Sequence, residues 1–270
     1  MTASPDPAPA PAPSPSPARS NSNLSPESLR FFERTWQVYH QIVADDLMEH
    51  AALFAALRPR LQAFLEEWGS APLTMADLAC GDLTTLAPLL RDLSLEGFPG
   101  VDACASVIPL AQERLAGWPV PCRWLEDDML RWAEGPGERH GLISCLFGLH
   151  HLADADKQLF LEVVADRLEP GGLLLIADAF REPGEPLDHY RQRYGRRIRE
   201  SWTSLGPSFQ DHVVAHVSGS DFPAEHDRFA AMAEQSGWQG EWLWRGSHQA
   251  EALLVLRRPA SPETPRQQQR

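Results

Sequence analysis

The chain has 270 residues, with 37 acidic against 24 basic side chains and a formal net charge of −13. That balance argues against a whole-surface attraction to nucleic acid or anionic lipid, and no apolar run approaches the roughly 20 residues of a membrane-spanning helix. Cys80, Cys104, Cys122 and Cys145 stand in apolar stretches without Cys-x-x-Cys spacing and read as reduced, buried thiols. No basic segment followed by an apolar one opens the chain, so the reading is a cytoplasmic protein.

Residues 1–24 are rich in Pro, Ala and Ser, with prolines at alternate positions from Pro5 to Pro17. Each fixes its own φ and extends the residue before it, which predicts a disordered, polyproline-like tail. Residues 259–270 also lack core formers, leaving 25–258 as one domain with room for a buried core. Ser25-Pro26-Glu27 is a helix start, and Phe32, Trp36, Tyr39, Val43 and Leu47 then mark one apolar face. A second helical pattern runs from 51 to 68, so that 25–70 forms an N-terminal helical section. From there short apolar runs alternate with helical spacing. Strands are predicted at 74–80, 98–103, 121–125, 140–147 and 173–180, with helices at 83–93, 106–115 and 156–168 and a turn at 169–172. Such alternation predicts an α/β fold with a mostly parallel sheet covered by helices on both faces. Residues 182–220 are polar, aromatic and basic and read as an inserted lobe. A helix at 223–235 and strands at 238–245 and 251–258, joined by a short polar loop, complete the chain as an antiparallel hairpin.

The sharpest motif is Asp77-Leu78-Ala79-Cys80-Gly81-Asp82, where a strand ends, the chain turns on small residues and a helix begins. Ligands of parallel sheets bind at such carboxyl ends, and small residues admit them close to the backbone. Small residues after a strand also often do nothing but turn. Asp102 ends the next strand, where an acid can accept from both hydroxyls of a ribose, or cap the following helix. Glu126-Asp127-Asp128-Met129 follows the third strand. A carboxylate there could accept from an adenine amino group with Met129 packed on the ring, or belong to a solvated acidic loop. The Gly-x-Gly-x-x-Gly of nicotinamide-binding folds is missing from the first turn.

In this order, Asp77–Asp82, Val101-Asp102-Ala103, Glu126–Met129, Leu146-Phe147-Gly148-Leu149-His150-His151-Leu152 and Leu168-Glu169-Pro170-Gly171-Gly172–Ile176 resemble the class I S-adenosyl-L-methionine-dependent methyltransferases. The resemblance covers about residues 74–180 and extends to the terminal hairpin. It implies a Rossmann-like seven-stranded sheet with its last strand antiparallel, and an N-terminal helical lid over the cofactor. It places the methionine part of S-adenosylmethionine at Asp77, Ala79 and Gly81 and its ribose at Asp102 and Ala103. Asp128 and Met129 would flank the adenine, with Leu146 and Phe147 closing the far side and Tyr39 in the lid. The family's first turn reads Asp-x-Gly-x-Gly-x-Gly, whereas Ala79, Gly81 and Leu83 stand at its three glycine positions here.

Methyl transfer needs alignment and exclusion of water more than a catalytic triad. Candidates for the acceptor side are His150 and His151 after strand four, and Asp178 near the end of strand five. In the lobe, Tyr190, Tyr194 and Arg197 would share one helical face. Arg193 could grip a substrate carboxylate with two hydrogen bonds, with His212, His216 and Asp221 as further lobe candidates. For the arginines, a solvated basic helix paired with nearby acids is the plainer alternative. His40 joins Tyr39 as a pocket candidate, while Trp36 docks the helix. No cluster has metal-ligand spacing. The expected activity is methylation of N, O or S on a small, carboxylate-bearing metabolite such as an amino-acid-derived imidazole or thiol, by a monomer or homodimer. A protein or RNA methyltransferase and a silent cofactor-binding module are the alternatives.

Overall fold

The computed structural model describes residues 38–258. The expectations for the Pro-rich segment, the helix start at Ser25, Trp36 and the 259–270 segment therefore lie outside the described residues.

Seven strands form one sheet in the order β3-β2-β1-β4-β5-β7-β6. They are β1 (Met75–Leu78), β2 (Phe98–Asp102), β3 (Cys122–Glu126), β4 (His140–Leu146), β5 (Leu168–Ala179), β6 (Gln239–Arg245) and β7 (Glu251–Arg257). β1 to β5 pair in parallel, and β7 runs antiparallel to both β5 and β6. Successive side chains of a strand point to opposite faces, and the core divides accordingly. Leu173, Leu175 and Ala177 of β5 join one apolar cluster, while Leu174 and Ile176 join the other. The first cluster is covered by α1 (His50–Trp68), α2 (Ala87–Leu90) and α3 (Ile108–Arg114). The second lies under α4 (Met129–Glu134), α5 (Asp154–Val163) and α8 (His226–Gln235). The lobe is a helix pair, α6 (Leu187–Ser201) and α7 (Pro207–Ser220). Its aromatic face packs with Val38 and Ile42 of the helical segment 38–44 and with Ala179 and Ala250.

The elements differ from the sequence pattern in instructive places. The 83–93 helix contracts to α2 because Leu83 adopts a left-handed backbone and Pro88 confines the helix start. Pro109 sits likewise in the first turn of α3. Glu169–Gly172, expected as a turn, lies within β5. The ladder pairs His140 with Leu168 and then Leu142 with Leu173, so the extra residues form a bulge around Gly171 at φ 80°. Gly172 is required there, because a Cβ would stand 2.7 Å from the Gly141 carbonyl oxygen. Cys122 is only half-buried, unlike the other three cysteines.

Candidate functional site

The carboxyl ends of β1 to β4 surround an open cavity, whose empty space together with its solvent-filled mouth is about 880 Å³. Its floor is the turn after β1, in which Ala79 (φ 54°), Gly81 (φ 54°) and Leu83 (φ 61°) are all left-handed. These are the positions the resemblance gives to glycine. Asp77, the last acid of β1, is buried, and the Ser144 hydroxyl donates to its Oδ1 at 2.5 Å. Burial lifts the Asp77 carboxyl to about 7. Asp102 ties two turns together: Oδ2 accepts from the Gly81 N–H and Oδ1 from the Cys104 N–H, each at 2.8 Å. Burial raises this carboxyl as well. Asp82 sits beneath the turn, accepting from Thr84 and pairing with His40 Nε2 and Arg114 Nη2, each at 2.6 Å. Burial opposes its charge, but these donors outweigh it and hold its carboxyl low.

Asp128 caps α4, a helix the sequence pattern did not reveal; its Oδ1 accepts from the N–H groups of Leu130 and Arg131. The acid is therefore a helix cap and also stands in the cavity wall beside Met129. On the opposite side, Gly148 lets the β4 loop close on the β1 turn, since a Cβ there would meet the Ala79 Cβ at 2.7 Å. Tyr39, Asp77, Ala79, Gly81, Asp102 and Ala103 line this one cavity, and so do Asp128, Met129, Leu146 and Phe147. The fold thus brings together every residue that the resemblance assigns to the cofactor.

A second cavity adjoins the first, and Tyr39, Phe147 and His151 line both. Its walls are apolar and aromatic, with Tyr190, Tyr194 and Trp202 from the lobe facing Val38 and Ile42. The polar exception is one cluster of His150, His151, His216 and Asp221. Asp178 is buried behind it and holds His150 twice, accepting from its backbone N–H at 3.0 Å and bonding its Nδ1 at 2.5 Å. Burial works against charge on His150, but the Asp178 and Asp221 carboxylates outweigh it and raise its pKa. Burial lowers His151, and it lowers His216 to about 4. Asp221 is ionised: burial opposes its charge, yet the histidines bring it down to about 2.

Other lobe residues are engaged elsewhere. The Arg193 guanidinium donates through Nε and Nη2 to the two Glu185 oxygens, each at 2.8 Å, and through Nη1 to the His248 carbonyl. It lines neither cavity, so the expected grip on a substrate carboxylate does not form in this geometry. Arg197 donates to both oxygens of Glu251 at 2.6 and 2.7 Å, and the Tyr194 hydroxyl donates to the same carboxylate at 2.8 Å. Tyr194 therefore offers the cavity its ring, stacked on Tyr190 at 5.4 Å between centroids. Sequence spacing gave no sign that His216 and Asp221 would meet His150 and His151; the only hint was the run of His212, His216 and Asp221 along the lobe.

Residues 75–172 match the family model described as a methyltransferase domain. That segment, somewhat over a third of the chain, is thus similar in sequence to a methyltransferase domain. Solved structures similar to it include a SAM-dependent methyltransferase from Leishmania major, with a TM-score of 0.60 at 15% identity, covering 86% of this chain and 82% of that one. The DhpI–SAH complex gives 0.56 at 15% identity, covering 86% and 95%. Among curated proteins, carboxy-S-adenosyl-L-methionine synthase of Hydrogenovibrio crunogenus is 24% identical over 163 residues, which is 58% of this chain. The match spans 62% of that relative's length. Among the described residues, no helix is long and apolar enough to cross a membrane.

Proposed function

We propose that the chain transfers the methyl group of S-adenosylmethionine to a small molecule seated in the aromatic cavity under the lobe. The observation that carries this reading is the junction of two cavities at Tyr39, Phe147 and His151. One bears the family's cofactor constellation, and the other is apolar with a single polar cluster. When bound, the cofactor supplies an electrophilic methyl group on a sulfonium.

The protein's own residues hold and orient. Asp77 would take the amino group of the methionine part, and its raised pKa means that a cation there displaces a proton. Each oxygen of Asp102 accepts one backbone N–H, and a carboxylate has about four acceptor sites, which leaves capacity for the ribose hydroxyls. Gly81 and Ala79 let the ligand approach the backbone. On the acceptor side, Tyr190, Tyr194 and Trp202 would clamp a flat or apolar body, while the lobe and the 38–44 segment keep water out. His150 and His151 are the groups that could receive a proton from an N–H, O–H or S–H acceptor, and Asp178 positions His150. A carboxylate on the acceptor is not required by this arrangement. The small cavity and the net charge of −13 favour a metabolite over an RNA or a folded protein.

Calorimetry with S-adenosylhomocysteine tests the cofactor half. Binding is expected, and Asp102→Ala should weaken it at least tenfold; unchanged affinity would remove Asp102 from the site. Incubation of isotope-labelled cofactor with a metabolite extract tests the acceptor half, and a labelled small molecule is the expected product.

A further inference from the structure

The polar cluster in the second cavity has a convergent geometry. Three imidazoles converge on one carboxylate oxygen. Asp221 Oδ1 lies 3.3 Å from His216 Nε2, 3.4 Å from His151 Nδ1 and 3.9 Å from His150 Nε2. His150, His151 and Asp221 are all buried, and each offers a ligand atom within 4.8 Å of the other two. Bonds of about 2.0–2.1 Å to a tetrahedral ion separate its ligands by about 3.3 Å; the His216 and His151 distances to Asp221 already match this, whereas His150 must draw in and His216, which lies outside the 4.8 Å triad, must turn toward the two other imidazoles. From this convergence we infer that the cavity holds a divalent first-row transition-metal cation, ligated by His150, His151 and Asp221 with His216 as the fourth ligand.

The surroundings are those of a metal centre. Asp178 bonds His150 Nδ1, which turns Nε2 toward Asp221. A carboxylate behind a ligating histidine fixes its tautomer and strengthens it as a donor. Imidazole nitrogens with one carboxylate suit zinc, iron(II) or cobalt(II), whereas magnesium and calcium prefer oxygen throughout. Asp221 is only 6% exposed, among three imidazoles, where a cation would compensate a carboxylate's charge. The ligands come from the turn after β4 (His150, His151), from α7 (His216) and from its C-terminal cap (Asp221). The ion would thus pin the lobe to the sheet. Four protein ligands close a tetrahedral site, so the ion's role is to hold the lobe on the sheet; where the second cavity also receives the methyl acceptor, which rests on the reading above, His150 and His151 of the metal-loaded protein hold the ion and do not receive the acceptor's proton.

The test uses the untagged full chain, stripped with a chelator, dialysed and titrated with Co²⁺ and then Zn²⁺. The expected result is one equivalent of Co²⁺ with ligand-field absorption, displaced by Zn²⁺, and a higher melting temperature in Zn²⁺. Asp221→Asn, and independently His216→Gln, should each lower metal affinity at least tenfold. S-adenosylhomocysteine affinity, measured on the same samples, should stay within twofold and so report that the variants are folded. Absence of stoichiometric metal binding in the wild type, or full affinity in both variants, would overturn the site. Either result leaves the cofactor reading standing, because that reading stands or falls on the S-adenosylhomocysteine titration.

Discussion

At the scale of single residues, the turn after β1 separates what a sequence motif records from what the backbone requires. The glycines of the family's motif serve a left-handed backbone, and that backbone persists where the glycines do not: Ala79, Gly81 and Leu83 all have φ between 54° and 61°. A side chain in this region costs about 1–2 kcal/mol. Replacing Ala79 with glycine removes that strain and returns part of it as unfolded-chain entropy of about 0.4–1 kcal/mol. Ala79→Gly should therefore stabilise the protein by a few tenths to about 1 kcal/mol in urea denaturation. Leu83→Gly should do the opposite. Leu83 is buried, and the loss of a leucine core side chain, about 2–5 kcal/mol, exceeds the strain relieved. Asp128 teaches a related lesson. Its position after β3 was legible, but its work as the cap of α4 was not, because a helix of six residues leaves too little periodicity to read.

At the scale of elements, the alternating strands and helices were legible because the central strands β1, β4, β5 and β7 are apolar on both faces, while the edge strands β3 and β6 are partly exposed. The lobe was legible only in outline. Tyr190 and Tyr194 were expected on one helical face, and they are the buried, cavity-lining face of α6. The destinations of its arginines were not legible, since they depend on partners distant in sequence. Arg197 meets Glu251 at the start of β7, and the same guanidinium donates to the Leu47 carbonyl at 2.8 Å. One ion pair thus fastens α6 to the sheet and to the N-terminal segment. Glu251 is fully buried and Arg197 nearly so, and removing one partner of such a pair costs about 3–5 kcal/mol by leaving the other charge uncompensated. Glu251→Ala should destabilise the protein by that order in thermal or urea denaturation. The double variant Glu251→Leu with Arg197→Met should recover most of the loss. Amide exchange should quicken first along α6.

At the scale of the whole molecule, burial of ionisable groups links folding, pH and ligand binding. His50 and His140 are buried, and desolvation lowers each to about 4. The unfolded chain takes up their protons near pH 6.5, the folded one only near 4, so the unfolded state binds more protons between these limits. Their contribution to stability is present above pH 6.5 and is lost as the pH falls toward 4. Asp77 acts in the opposite direction. Burial raises it to about 7, so the folded state binds the extra proton between about pH 4 and 7. Its contribution favours folding at low pH and is lost as the pH rises through 7. Burial lowers His216 to about 4 and lowers His151 in the same sense, while Asp102 is raised in the sense of Asp77; the histidines outnumber the raised acids, and the melting temperature of the ligand-free protein should drop between pH 6.5 and 4. Asp77→Asn isolates the opposing part: relative to wild type it should gain stability at pH 8 and none at pH 4. The same carboxyl couples folding to the cofactor. If the ionised form of Asp77 receives the ligand's amino group, S-adenosylhomocysteine affinity should fall roughly tenfold per pH unit below 7. In Asp77→Asn that dependence should vanish along with most of the affinity. A wild-type affinity that stays flat from pH 5.5 to 8 would place the amino group elsewhere.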